Sequence, residues 1–260
     1  MTSDPTPPTL TVVVPCYNEA ERLEVGPLLE FAGGSPGANL LFVNDGSTDA
    51  TSERLAAVAA QRPDRVQVLT LAANSGKAEA VRRGMRAALD AGAQLIAYLD
   101  ADLSTPPREL VRVGNALARP GVEVAVGARV ALLGTDIERS AVRHYLGRVF
   151  ASLASLVLRA RIYDTQCGAK IFRATPALAA ALAEPFISRW AFDIELLGRM
   201  LAGAGTAPPL PLTAIVEVPL QTWHDVKGSK LGPGAMARTL FELGRIGADL
   251  ARRRQTRSNA

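Results

Sequence analysis

Four short apolar runs, each closed by a polar cluster and separated by helix-length segments, constrain this chain more than any other feature. Leu10-Thr-Val-Val-Val-Pro15 is a continuous β-branched run, the pattern of a strand buried on both faces of a parallel sheet. Asn39-Leu-Leu-Phe-Val43, Val66-Gln-Val-Leu-Thr-Leu71 and Leu95-Ile-Ala-Tyr-Leu99 are the next three strands. Helices are expected after Cys16-Tyr-Asn-Glu19 up to the Gly33-Gly-Ser-Pro-Gly37 break, from Ala50 to Ala60, and from Ala78 to Ala91. Ser47, Thr48 and Asp49 are all available to cap the second of these. Strands alternating with helices predict right-handed crossovers and an α/β fold: a three-layer sandwich around a mostly parallel sheet.

In such sheets ligands bind beyond the carboxyl ends of the strands. Tyr17 to Glu19, Asp45 to Asp49, Asn74 to Lys77 and Asp100 to Asp102 each follow a strand at that edge, so four polar clusters share one rim. Asp100 and Asp102 stand two apart before a turn closed by Pro106 and Pro107, and in extended chain both carboxylates can face one point. That point suits a hard divalent cation, Mg²⁺ or Mn²⁺, completed by phosphate oxygens of a substrate. The plainer alternative is that Asp100 ends the strand and Asp102 starts the turn. Neither a G-x-G-x-x-G nor a Walker loop is present, which argues against dinucleotide and P-loop binding.

Further on, a helix is expected around Arg108 to Ala118, a fifth strand at Val122 to Gly127 leading to Arg129, and a long helical stretch from Arg139 to Arg161. Asp164-Thr-Gln-Cys-Gly-Ala-Lys-Ile-Phe172 reads as a loop passing into a strand. Helices at Thr175 to Ala183 and Trp190 to Leu201, a strand at Ile215 to Pro219 and a loop from Trp223 to Leu231 follow. The net charge of +4 is uneven: residues 1–125 hold 11 basic and 15 acidic side chains, residues 126–260 hold 18 and 10. This asymmetry suggests an anionic partner for the second half, a phosphate or an acidic membrane surface. Aromatics are 5% and interleave with no basic run, which argues against nucleic acid.

Cys16 and Cys167 have no metal-ligand spacing and read as buried thiols. The longest apolar run, Val149 to Leu158, is about half of a bilayer span. The polar, proline-rich start, Met1 to Pro8, has no secretory pattern, so a cytoplasmic location is expected. Met236, Leu240, Leu243, Ile246 and Leu250 form a helical stripe before Arg252-Arg-Arg254 and Arg257. That stripe could pack on the domain or lie, with the basic tail, on the inner face of the cell membrane as a peripheral anchor. Residues 9–235 are accordingly expected to form one catalytic domain, with a nucleotide-binding half (9–125) and an acceptor-binding half (126–235), followed by an amphipathic helix and basic tail (236–260).

Pro15-Cys-Tyr-Asn-Glu19, Asn44-Asp-Gly-Ser-Thr-Asp49, Asn74-Ser-Gly-Lys77 and Asp100-Ala-Asp102, in that order, resemble the family 2 glycosyltransferases of GT-A fold. Asp164-Thr-Gln-Cys-Gly168, Arg189-Trp-Ala-Phe-Asp193 and Gly228-Ser-Lys-Leu231 are similar to the dolichyl-phosphate β-glucosyltransferases within it, which pass glucose from UDP-glucose to a polyprenyl phosphate. The resemblance implies that Pro15, Tyr17, Glu19, Asp45, Lys77, Asp100 and Ala101 hold the nucleotide sugar, and that Asp102, with Asp100, ligates the metal on its diphosphate. Arg129, Arg189 and Lys230 match basic positions near the diphosphate or the acceptor phosphate. A phosphate acceptor needs no strong base; for a sugar hydroxyl acceptor, Asp193 is the best-placed candidate. One departure stands out: relatives commonly continue Gly-Lys-Gly-Gly where this chain has Gly76-Lys-Ala-Glu79. Arg189 could instead pair with Asp193 or Glu195 at a helix start, and His224 could be a metal ligand or an ordinary loop residue.

Overall fold

The β-branched runs form strands where their pattern places them. In the computed structural model, which describes residues 8–138, 141–224 and 233–258, β1 (Leu10–Cys16), β2 (Ala38–Asn44), β3 (Val66–Thr70) and β4 (Leu95–Tyr98) pair in parallel, β1 lying between β2 and β4. The connecting helices are α1 (Gly26–Gly34), α2 (Thr51–Gln61) and α3 (Lys77–Asp90). After α4 (Arg108–Asn115) come β5 (Val124–Ala128), β6 (Asp136–Glu138), α5 (Ala141–Leu158), β7 (Lys170–Arg173), α6 (Pro176–Ala181), α7 (Phe192–Ala202), β8 (Ile215–Pro219), β9 (Thr222–His224) and α8 (Pro233–Ser258).

The main sheet is seven-stranded, in the order β3-β2-β1-β4-β7-β5-β8. Only β7 runs against the rest: it inserts antiparallel between β4 and β5, so that Lys170 stands opposite Tyr98 on one side and Val126 on the other. The expected α/β sandwich is therefore present, with one reversed strand at its centre. A parallel ribbon of β6 and β9, the latter reaching into the stretch read as a loop from Trp223, adds a second small sheet.

Alternation along each strand explains why the runs are apolar throughout. Val13, Val43, Ile96, Tyr98, Val126 and Phe172 face one core, shared with α3, α5, α7 and α8; Val12, Val14, Phe42, Ala97, Leu99 and Ile171 face the other, shared with α1, α2 and α4. Gly84 brings α3 onto the first of these faces, since a Cβ there would lie 2.4 Å from Val13 Cγ1.

Two local expectations change. The residue at the N-cap of α2 is Ala50, not Ser47, Thr48 or Asp49; Asp49 stands one position outside and its carboxylate accepts the Thr51 backbone N–H at 3.0 Å. In α8, Leu243, Ile246 and Leu250 are buried against the domain, while Leu240 and Phe241 are 44% and 69% exposed. The stripe is thus core for most of its length; the side chain of Met236 lies outside the described residues. The tail arginines are engaged as well. Arg253 pairs with Glu184 at 2.7 Å, Arg254 donates to the Leu158 carbonyl at 3.1 Å, and Arg257 donates to the Gly205 carbonyl at 2.9 Å. Among the described residues, no helix is long and apolar enough to cross a membrane.

Candidate active site

The rim at the carboxyl ends of β1 to β4 is assembled by hydrogen bonds between the polar clusters themselves. Asn18, in the left-handed region at φ 53°, accepts from Thr48 N at 2.9 Å through its side chain, and its own N–H donates to Ser47 Oγ at 3.1 Å. Glu19 N donates to Thr51 Oγ1 at 2.8 Å. The first cluster is thereby locked to the second, leaving Tyr17 43% exposed beside the half-buried Pro15. Burial pushes the Glu19 carboxyl up, and the negative charges of Asp102 and Asp49 add to it against Arg22. Among the described residues its buried Oε2 has no hydrogen-bond partner, an acceptor left open beside the rim.

Asp45 does something the sequence did not indicate. It is 2% exposed, and its two oxygens accept the backbone N–H groups of Ser75 and Gly76, both at 2.8 Å. It fixes the loop ahead of α3 from beneath. Gly76 adopts φ 92°, and a Cβ there would sit 2.9 Å from Arg189 Nε, so the Arg189 side chain lies directly on this loop, 3.5 Å from Asn74 Oδ1. Arg189 therefore bridges the two halves of the chain. Neither alternative partner holds it: Asp193 pairs with Lys170 and Glu195 with Arg199.

Lys77, the first residue of α3, places Nζ 2.6 Å from Asp100 Oδ1. Burial opposes the charge on Asp100, but Lys77, with Lys170 and Arg129 farther away, holds its carboxyl below the ordinary value. The departure at Ala78 and Glu79 leaves this contact intact. Ala78 is buried, and Glu79 pairs with Arg82 at 2.7 Å and Arg83 at 2.9 Å. Ala101 is buried, whereas Asp102 is exposed, with Oδ1 accepting Ser104 N at 3.0 Å. The His224 backbone N–H donates to the Ser104 carbonyl at 3.0 Å, and its Nε2 is 3.1 Å from Asp136 Oδ2, so the β6–β9 ribbon borders the Asp102 turn.

Among the described residues no three His, Cys, Asp or Glu side chains converge as a self-sufficient metal centre. Two carboxylates at one turn, with the Glu19 carboxyl within electrostatic reach of Asp102, fit a hard cation that takes its remaining ligands from a substrate.

Two of the predicted cationic and basic groups turn inward. Arg129 forms a fork with Asp164, Nε to Oδ2 at 2.7 Å and Nη2 to Oδ1 at 2.8 Å, and lies 5.2 Å from the Trp223 ring centroid. Burial works against the Asp164 charge, yet the Arg129 fork more than offsets it and draws the carboxyl down to about 2. Arg129 thus braces the Asp164 loop and does not stand open at the rim. Asp193, the candidate general base, is 5% exposed; it accepts from the Tyr98 hydroxyl and is 2.8 Å from Lys170 Nζ. Burial pushes the Asp193 carboxyl up and the Lys170 ammonium down, while their contact favours the charged forms. Lys230 lies outside the described residues.

Sequence reading missed Lys170, Tyr98 and Gly168. Lys170 donates to the Tyr98 hydroxyl at 2.9 Å and to the Cys167 carbonyl, tying the Asp164–Gly168 loop to the sheet centre. The available signal was a lysine immediately before the apolar pair Ile171-Phe172. Gly168 packs against Asp100, where a Cβ would meet Oδ2 at 2.6 Å.

The comparisons agree with the family and fold. The profile of Glycosyl transferase family 2 matches residues 11–178. A dolichyl-phosphate beta-glucosyltransferase of Drosophila melanogaster is 34% identical over 253 residues, covering 90% of this chain and 74% of the relative. The polyprenol monophosphomannose synthase of Mycolicibacterium smegmatis is 28% identical, covering 94% and 88%. Among solved structures, glucosyl-3-phosphoglycerate synthase from Mycobacterium tuberculosis in complex with UDP superposes with a TM-score of 0.65 at 21% identity, over 93% of this chain and 80% of that one. The same enzyme with Mn²⁺, UDP-glucose and phosphoglyceric acid gives 0.64 at 21% identity, over 91% and 80%. With its mostly parallel sheet, its four rim clusters and a profile match over most of its length, the chain belongs to glycosyl transferase family 2 and has the GT-A fold.

Proposed function

We propose that this glycosyltransferase moves glucose, or a related hexose, from UDP-glucose to the phosphate of a polyprenyl phosphate, in a single inverting displacement. The observation that carries the acceptor class is the burial of Asp193. A sugar hydroxyl needs a base to take its proton, and the carboxylate best placed by sequence is enclosed and paired with Lys170. A phosphate oxygen is already anionic and attacks without one. The names of relatives from Drosophila melanogaster and Mycolicibacterium smegmatis support a polyprenyl-linked acceptor.

In this reading Pro15, Tyr17 and Glu19 hold the uridine, and Asp45 acts through the loop it fixes. Lys77 and Arg189 supply positive charge at the diphosphate, where negative charge grows as the sugar leaves. Asp102, with Asp100, would hold Mg²⁺ or Mn²⁺, which supplies Lewis-acid stabilisation of the leaving UDP. The second half orients the acceptor, Arg129 by bracing the Asp164 loop and Lys230 as a further cation. The apolar surface left to meet a bilayer peripherally, on its cytoplasmic side, is Leu240 and Phe241 on α8 with Val149 and Leu156 on α5, all exposed.

The test is incubation with radiolabelled UDP-glucose, Mn²⁺ and a short polyprenyl phosphate, followed by extraction into organic solvent, with GDP-mannose as a parallel donor. Label in the organic phase from UDP-glucose is expected. Label transferred only to water-soluble acceptors would overturn the acceptor assignment, and label from GDP-mannose alone the donor.

A further inference from the structure

Asp100 is enclosed on two sides. Lys77 Nζ touches Oδ1 at 2.6 Å, and the backbone at Gly168 presses on Oδ2, where there is no room for a Cβ. The Lys77 ammonium thus sits where a cation bound to Asp100 would have to be. Building on the reading of this rim as a nucleotide-sugar site, we propose that Lys77 is a built-in competitor for the divalent cation, so that cation and nucleotide diphosphate bind as a coupled pair.

The surroundings limit the exchange to the side chain. The loop ahead of Lys77 is fixed from below by Asp45, through Ser75 N and Gly76 N, and covered by Arg189 at Gly76. The Lys77 side chain, 36% exposed at the start of α3, can leave Asp100 without moving that backbone. Behind it lies Asp193, within electrostatic reach of Lys77 but in direct contact with Lys170 at 2.8 Å, so the interior offers Lys77 only an occupied partner. The diphosphate offers a free one. An incoming nucleotide draws the ammonium outward and uncovers Asp100; without nucleotide, a divalent cation must displace a charge held at contact distance. By linkage, the factor by which UDP tightens Mn²⁺ equals the factor by which Mn²⁺ tightens UDP.

The experiment measures Mn²⁺ binding to the full chain by the electron paramagnetic resonance signal of free Mn²⁺, with and without UDP, and UDP binding without metal by calorimetry. In the wild type, Mn²⁺ alone is expected to bind at least tenfold more weakly than with UDP. Lys77→Met, and independently Lys77→Ala, is expected to tighten Mn²⁺ alone about tenfold, to weaken UDP alone, and to shrink the coupling; Lys77→Arg should keep weak binding of Mn²⁺ alone. A merely structural role for Lys77 would weaken both ligands, so Mn²⁺ affinity unchanged or lower in both neutral variants, with folding verified by circular dichroism, overturns the proposal while leaving the nucleotide site standing. If the wild type binds neither UDP nor Mn²⁺ together with UDP, the reading of the rim fails and this inference with it.

Discussion

Gly168 lies against the carboxylate of Asp100, so closely that a Cβ would stand 2.6 Å from Oδ2. One residue from the second half of the chain thereby sets the position of a carboxylate in the first half. Gly168→Ala should push Asp100 away from Lys77 and lower kcat at least tenfold, a change of about 1.4 kcal/mol or more in the barrier. Thermal melts should shift far less than activity. Unchanged turnover would mean that Asp100 needs no such restraint.

Asp102 is exposed and holds only the Ser104 N–H at 3.0 Å, so its replacement leaves the core untouched. Asp102→Asn should retain the wild-type melting temperature within about 2 °C and lose transfer by roughly a thousandfold, given about 4 kcal/mol for contact between unit charges at an effective dielectric near 20. The measurement is turnover at saturating Mn²⁺; full activity there would remove the metal role.

The Arg129–Asp164 fork makes stability depend on pH at the acid end. The Asp164 carboxyl is drawn to about 2, below its unfolded value near 4, so its stabilisation is complete above the unfolded value and disappears as pH falls through the folded one. Two pKa units correspond to about 2–3 kcal/mol, nearly undiscounted because the pair is buried. Urea midpoints compared at pH 7, 4 and 3 should fall for the wild type, and Asp164→Asn should start lower and fall less.

Asp193→Asn distinguishes a buried support from a base. It leaves Lys170 without its ion partner at the centre of the sheet, which should cost about 3 kcal/mol of stability. The double change Asp193→Leu with Lys170→Met should recover part of that loss. A pure loss of kcat, with stability intact, would return Asp193 to the list of bases.

Deleting residues from Arg252 onward removes contacts to Glu184, Leu158 and Gly205. The part-buried bond to Leu158 contributes about 1.5–3 kcal/mol, the exposed bond to Gly205 and the ion pair to Glu184 less than about 1 each. The truncated protein should melt roughly 5–10 °C lower. An unchanged melt would mean that the arginines merely drape over the surface.

The first half was legible because its information is local: apolar runs announce β1 to β4, and Asn-Asp-Gly-Ser and Asp-Ala-Asp sit after β2 and β4. The inward turn of Arg129 and Asp193 was not, since charge pairing depends on partners far away in sequence, Asp164 and Lys170. The same holds for Asp45, whose type signals a ligand equally well when it only receives backbone N–H groups. The reversal of β7 is invisible in Lys170-Ile-Phe-Arg173, because four residues carry no mark of strand direction.

That reversed strand also dictates the order in which the molecule can be completed. Tyr98 and Lys170, neighbours in the finished sheet, are 72 residues apart, and β5 joins the rest only through β7. A ribosome that has delivered the whole first half has still left the flank of β4 raw and β5 with nothing to dock on. Expressed alone, residues 1–125 would carry that open flank permanently, inviting other chains to fill it.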